Sequence, residues 1–228
     1  MAPFKTLFPI VVVDIALFTV IDDSLRVLLV QRSQEPERRR WALPGGMLKP
    51  EIDASLEAAA RRVLQRKVSV DIPHLEEVCT FSGPDRDPRG WSIGALFCAL
   101  LPRDQVNALV RDKVEAVEWA VAAKPGHSMA FDHEVQLVTA LAQLRARVEA
   151  KALPLHLLPE RFTLTQLQRT CEAILGHPLD KSAFRRRLRD SPDLVELDEF
   201  VRGAQRPAQL YRAHDGFRFM DERSAGRL

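Results

Sequence analysis

Apolar positions run almost unbroken through residues 10–20 and 25–30, with Asp22, Asp23 and Ser24 between the two runs. β-Branched and aromatic residues dominate both, so they predict two strands joined by a tight turn. Near-continuous apolarity, rather than strict alternation, implies a sheet covered on both faces. Trp41, Ala42 and Leu43 predict a third strand that stops at Pro44, Gly45 and Gly46. From Asp53 the period changes: Leu56, Ala59, Ala60, Val63, Leu64 and Val68 recur at three- and four-residue steps, which predicts a helix with Asp53 as its N-cap. Further strands are predicted around Glu77–Phe81 and Ile93–Leu101, separated by a polar loop from Gly83 to Gly90. A second helix, over 132–149, carries Val135, Leu137, Val138, Leu141, Leu144 and Val148.

Leu153-Pro154 and Leu158-Pro159 mark a linker, because the residue before a proline is pushed out of the helical region. They divide the chain into a domain over residues 1–152 and a smaller one over 153–228. In the second, Thr163 and Gln166 have capping-box spacing at the start of a helix that runs to Leu175, where Gly176 and Pro178 stop it. Asp180 is placed to cap a further helix from Lys181 to about Arg189. Leu194–Leu197 and Gln209–Arg212 predict two short strands joined by a polar loop with Gly203 and Pro207. Helix, turn, helix and a two-stranded wing is the order of a winged helix.

A length of 228 residues suits one domain of about 150 residues and one of about 70. Cys79, Cys98 and Cys171 are too scattered for a disulfide framework or a zinc knuckle, which fits a reducing, cytoplasmic setting. The apolar run from Leu7 to Ile21 contains Asp14 and reads as a buried strand rather than a leader, and no stretch is long enough to span a bilayer. Net charge is only +2, so its distribution matters more than its size. Residues 1–153 carry 20 Lys and Arg against 20 Asp and Glu, and residues 154–228 carry 13 against 11. Between Lys181 and Arg189 there are five cations and no acid, a strongly positive local field.

Phe184 and Leu188 form the apolar side of that helix and leave Arg185, Arg186 and Arg187 outward, beside Lys181 and Arg189. Such a helix suits the DNA major groove, where arginine reads guanine edges and neutralises phosphate. Arg202 and Arg206 fall on the wing. A solvated charged face is the plainer alternative, but the cluster lies on the second helix of a helix-turn-helix order, which favours double-stranded DNA as partner.

Leu43-Pro44-Gly45-Gly46, followed by an alanine-rich helix ending at Arg61-Arg62, resembles the Nudix signature G-x5-E-x7-R-E-U-x-E-E-x-G-U. Matching through Arg62 places Leu64 and Val70 on the aliphatic positions and makes the loop after Gly46 two residues too long. The positions expected to be glutamate are then Ala54, Val63, Arg66 and Lys67. In that superfamily carboxylates hold divalent metal against a pyrophosphate, and hard cations need oxygen ligands. Cations at two of those positions repel a metal, so neither catalytic residues nor a metal or cofactor is expected. Arg62, Arg66 and Lys67 suit direct neutralisation of a diphosphate, since guanidinium grips phosphate bidentately, or else are solvated on a helix face. Glu51, Asp53, Glu57, Glu76 and Glu77 remain as replacement ligands for an alternative reading, a pyrophosphohydrolase with an atypical metal site.

Phe81 to Gly90, Ala130-Phe131-Asp132-His133, Phe162 to Leu167, Glu172 to Lys181, Phe184-Arg185-Arg186 and Arg206 to Arg212 together resemble the Nudix-related transcriptional repressors of NAD metabolism, over nearly the whole chain. The resemblance implies an α/β protein, a Nudix α/β/α sandwich followed by a C-terminal winged helix. It implies a ligand-responsive DNA-binding regulator, a homodimer, with ADP-ribose or a related nucleotide as effector. Carried onto this sequence, it offers Arg86 and Arg89 for phosphate, Phe81 for stacking and Asp85 for a ribose hydroxyl. A self-paired turn of Asp85, Arg86 and Asp87 is the alternative, and His133 reads as a structural histidine. A Nudix fold that serves only to dimerise a nucleotide-independent regulator is a third possibility.

Overall fold

The computed structural model describes residues 8–68, 72, 74–105, 114–189, 191–201, 207–217 and 219. β1 (Ile10–Ile21) and β2 (Ser24–Arg32) form the predicted antiparallel pair, with Asp22 and Asp23 both at positive φ in the turn. β3 (Trp41–Ala42) and β4 (Gly45–Met47) follow, then α1 (Leu56–Val68), β5 (His74–Gly83), β6 (Ser92–Leu100), β7 (Val114–Val121) and α2 (His133–Glu149). The strands make a seven-stranded mixed sheet of order β3-β2-β1-β6-β5, with β4 added to β1 and β7 to β2. The β1–β6 pair is parallel and brings Asp14 opposite Leu96.

Both faces of β1 are buried, as its unbroken apolarity requires. Val13, Ile15 and Leu17 point with Ala95, Phe97 and Ala99 towards Ala59, Ala60, Val63 and Leu64 of α1. Ala16 and Phe18 point with Leu96, Cys98 and Leu100 towards Leu137, Ala140, Leu141 and Leu144 of α2. The result is the expected α/β/α sandwich. One expectation changes and one strand is added. Asp53 does not cap α1: the helix starts three residues later, Ser55 Oγ accepts from Ala58 N at 3.1 Å, and Asp53 accepts from Lys49 N at 2.8 Å. β7 is a strand that the apolar pattern leaves unassigned; its pairing with β2, from Arg26↔Val121 to Arg32↔Val114, makes it one.

The second unit contains β8 (Phe162–Thr163), α3 (Leu164–Leu175), α4 (Lys181–Leu188), β9 (Leu194–Val201) and β10 (Ala208–Ala213). Its small sheet has the order β8-β10-β9. The predicted capping box is present: Gln166 N donates to Thr163 Oγ1 at 3.2 Å, while Gln166 Oε1 accepts from Thr163 N at 2.8 Å. Gly176, at φ 80°, closes α3, and Asp180 Oδ1 accepts from Ala183 N at 2.7 Å to open α4. The apolar cluster beneath α2 continues through Leu153, Leu155, Leu157 and Leu158 to Phe162, Leu167, Ile174, Phe184 and Leu188. The two units therefore share one hydrophobic seam. Arg145 Nε donates across it to Ile174 O at 2.9 Å, and Arg147 pairs bidentately with Glu76. His74 stacks on His156 with ring centroids 5.0 Å apart, and Phe219 meets His74 edge-on.

Candidate functional site

A half-open cavity of about 510 Å³ lies between β1, β2, β4, α1, the β5–β6 loop and the start of α2, within the usual size range for small-molecule pockets. Among the described residues, six cations line it: Arg32, Lys49, Arg62, Arg66, Arg86 and Arg89. Of the described acids, only Asp14 and Asp87 oppose them on its wall, so the cavity suits an anion. Val12, Val30, Leu43, Met47, Val63 and Phe131 give it an apolar component.

Arg62 projects from α1 and is clasped by Asp53, with Nε to Oδ1 and Nη2 to Oδ2 both at 2.6 Å; Nη2 also donates to Met47 O at 3.0 Å. This pair ties α1 to the loop after β4 and holds the Asp53 carboxyl below its usual range. Arg86 is likewise committed. Its Nε and Nη2 donate to Asp132 Oδ2 and Oδ1 at 2.9 and 3.0 Å, and Nη1 reaches Ser92 Oγ at 3.3 Å. A Cβ on Gly94 would stand 2.6 Å from Arg86 Nη2, so only glycine leaves room for this guanidinium. Burial pushes the Asp132 carboxyl up, but hydrogen bonds from Arg86 and Gln136 outweigh it and leave it lowered. Arg89 pairs with Asp87 through Nε to Oδ1 at 2.9 Å and Nη2 to Oδ2 at 2.6 Å, yet keeps 39% of its side chain exposed. The loop is thus partly self-paired, through Asp87 and Arg89, while Arg86 reaches outside it.

Arg66 is exposed on the cavity wall and makes no ion pair among the described residues. Lys67 follows it on α1; its side chain lies outside the described residues. Phe81 is half-buried against the core and Asp85 is exposed on the loop; the described wall of the cavity includes neither. Arg32, Lys49, Asp14 and Phe131, which have no site role in the sequence motifs, also line the cavity. Arg32 Nε donates to Pro36 O at 3.0 Å, and its guanidinium carbon lies 4.8 Å above the Phe131 ring. Burial, with Arg89 nearby, lowers its pKa. Phe131 holds a left-handed conformation, φ 52°, a costly geometry for an aromatic residue that tends to be kept where it serves a site. His133 is fully structural in its bonding: its Nδ1 accepts from Leu43 N at 2.9 Å, so the proton sits on Nε2, 3.6 Å from Asp14 Oδ1. Burial lowers its pKa and keeps the ring neutral.

The second site is the outer face of α4. Phe184 and Leu188 are buried, while Lys181, Arg185, Arg186, Arg187 and Arg189 are exposed. Arg187 lies over the Phe184 ring at 5.2 Å; the other four make no ion pair among the described residues. β9 beside them is acidic, with Glu196, Asp198 and Glu199 exposed, Glu199 paired to Arg161 at 2.6 Å and Glu196 accepting from Tyr211 Oη at 3.4 Å. Positive charge on the described part of this unit is therefore concentrated on the helix rather than the strand. Arg202 and Arg206 lie outside the described residues.

A Nudix domain with a cation-lined cavity, joined to a winged helix that presents a cationic helix, is the class these features define. The NUDIX domain model matches residues 12–135, and the model of the NrtR DNA-binding winged helix domain matches residues 154–213. The ADPR responsive transcriptional repressor NtrR of Acinetobacter baylyi is 42% identical over 205 residues, which is 90% of this chain and 82% of that protein. The crystal structure of Shewanella oneidensis NrtR complexed with a 27mer DNA matches with TM-score 0.79 and 36% identity, covering 90% of this chain and 93% of that one. The NUDIX domain of the same protein complexed with ADP ribose matches with TM-score 0.57 and 35% identity, covering 63% and 94%. The chain belongs to the NrtR family of Nudix-related regulators.

Proposed function

We propose that this protein is a cytoplasmic transcriptional repressor that binds operator DNA through α4 and releases it when ADP-ribose occupies the cavity. The observation that carries this reading is the pairing, in one chain, of a cation-lined nucleotide-sized cavity with a cationic recognition helix. Arg66, Lys49 and the accessible side of Arg89 are the groups left to meet a diphosphate, because Arg62 and Arg86 are already held by carboxylates. The chain acts as a homodimer, since helix-turn-helix proteins read paired half-sites, and the boundary between its domains falls near residue 152.

The sensing domain is non-catalytic and takes no divalent metal. Val63, Arg66 and Lys67 stand where the superfamily places glutamates, and three of the five carboxylates offered as replacements are paired with arginines: Asp53 with Arg62, Glu57 with Arg61 at 2.9 Å, and Glu76 with Arg147. Loss of Lewis acid and general base together removes many orders of magnitude of rate. The test is fluorescence anisotropy on DNA from upstream of the gene, at fixed salt because phosphate contacts make affinity salt-dependent. Specific binding that weakens on adding ADP-ribose is the expected result. Specific binding indifferent to ADP-ribose removes that effector, and metal-dependent release of AMP from ADP-ribose restores the hydrolase reading.

A further inference from the structure

Asp14 sits in the middle of β1, where an acid is least expected, and is only 5% exposed. Its carboxylate nonetheless forms part of the cavity wall. An ionised carboxylate can accept about four hydrogen bonds. Among the described residues, Gln136 Nε2 alone donates to it within hydrogen-bond reach, at 3.2 Å; His133 Nε2 is 3.6 Å away and Arg86 Nη2 is 4.0 Å away. A buried carboxylate with unused acceptor capacity is costly to the fold unless something supplies donors. The fold makes a specific place for it. A Cβ on Gly45 would stand 2.3 Å from Asp14 Oδ1 and 2.9 Å from Val13 O, so the first glycine after Pro44 is what admits the carboxylate to this position.

We infer that Asp14 is a ligand-binding residue that accepts hydrogen bonds from the vicinal hydroxyls of a ribose. This rests on the reading of the cavity as a nucleotide site and sharpens it. A phosphate cannot occupy this spot, because two anions would face each other out of water; it belongs against Lys49, Arg66 and Arg89. A neutral sugar edge can, since two adjacent O–H groups match two carboxylate oxygens, and hydrogen bonds to a charged acceptor are the strong kind. The wall therefore sorts the ligand by chemistry: phosphate to the cations, hydroxyls to Asp14. ADP-ribose offers two riboses, one on the adenosine side and one at the far end, and both carry the required hydroxyls.

The experiment is calorimetric titration of the full chain with ADP-ribose and with two analogues, each deoxygenated on one of the two riboses. One analogue is expected to bind about tenfold more weakly or worse, the loss of a hydrogen bond to a charged group, and its identity assigns which ribose meets Asp14. Asp14→Asn supplies an independent sign. Removing a negative charge from a cation-lined cavity should by itself tighten every anion. The hydroxyl-acceptor role instead weakens ADP-ribose about tenfold, while inorganic pyrophosphate in competition is unaffected or tighter. Tight ADP-ribose binding that ignores both deoxygenations, or an Asp14→Asn protein that binds ADP-ribose as well as the parent, overturns the role of Asp14 and leaves the effector reading standing. No ADP-ribose binding by the parent chain overturns both.

Discussion

Three arginines of the cavity and three of α4 are the same residue type in opposite circumstances. In the cavity, Arg62, Arg86 and Arg89 are each held in bidentate geometry by an aspartate. On α4, Arg185, Arg186 and Arg189 project with no carboxylate partner among the described residues. The first arrangement fixes a shape and presents a part of each charge; the second keeps whole charges available to a polyanion. An arginine that must organise a pocket needs an internal counter-ion, because a desolvated charge left alone is expensive. An arginine that waits for phosphate does better without one, since an existing partner would have to be displaced.

The largest effect expected from breaking this contrast is on stability. Arg86→Ala strands the half-buried Asp132 carboxylate and removes the cation nearest Asp14, and should cost about 3–5 kcal/mol in denaturant unfolding. Arg185→Ala should stay within about 0.5 kcal/mol of the parent in the same measurement. A mild Arg86→Ala would mean that its pairing is no more than a surface contact. Next in size is DNA binding. Arg185→Ala combined with Arg186→Ala should lower operator affinity about a hundredfold and reduce the salt slope by about two, with ADP-ribose affinity intact. An unchanged salt slope would move the phosphate contacts off α4.

The smallest effect concerns the seam between the two regions. Burial, helped by the neighbouring His74, lowers the His156 pKa to about 4. The unfolded chain therefore binds more protons than the folded one below about pH 6.5. Stability contributed by neutral His156 is complete above that value and drains away as pH falls towards 4. Burial lowers the pKa of His133 as well, so it acts with the same sign. Thermal unfolding followed from pH 7 to pH 4 should show this decline, and His156→Phe should flatten part of it. An identical decline in the variant would trace it to other groups.

Much of the architecture is legible along the chain, because apolar period and capping chemistry are local. The capping box of Thr163 and Gln166, the Asp180 cap and the burial of Phe184 and Leu188 all follow from spacing. β7 does not, since its strand character comes from pairing with β2 rather than from its own pattern. The cavity is only half legible. Its cations on α1 and the β5–β6 loop stand in motifs, whereas Asp14, Arg32 and Lys49 are separated in sequence and converge only when β1, β2 and the loop after β4 are assembled. Asp53 illustrates the same limit. Its type and place suit a helix cap, but nine residues on Arg62 offers it a stronger partner.

α2 carries a mechanical consequence. Its first turn, with His133 and the preceding Phe131 and Asp132, belongs to the cavity and the buried cluster behind it, and its last turns pack against α3 and lead into the linker. Seventeen residues make a rod about 25 Å long. Pivoting such a rod by about 5° at the Asp132 end sweeps its far end through about 2 Å, the scale of shift by which helices reset interfaces. A helix of this length would turn a sub-ångström adjustment at its cavity end into a stroke of about 2 Å where it meets α3.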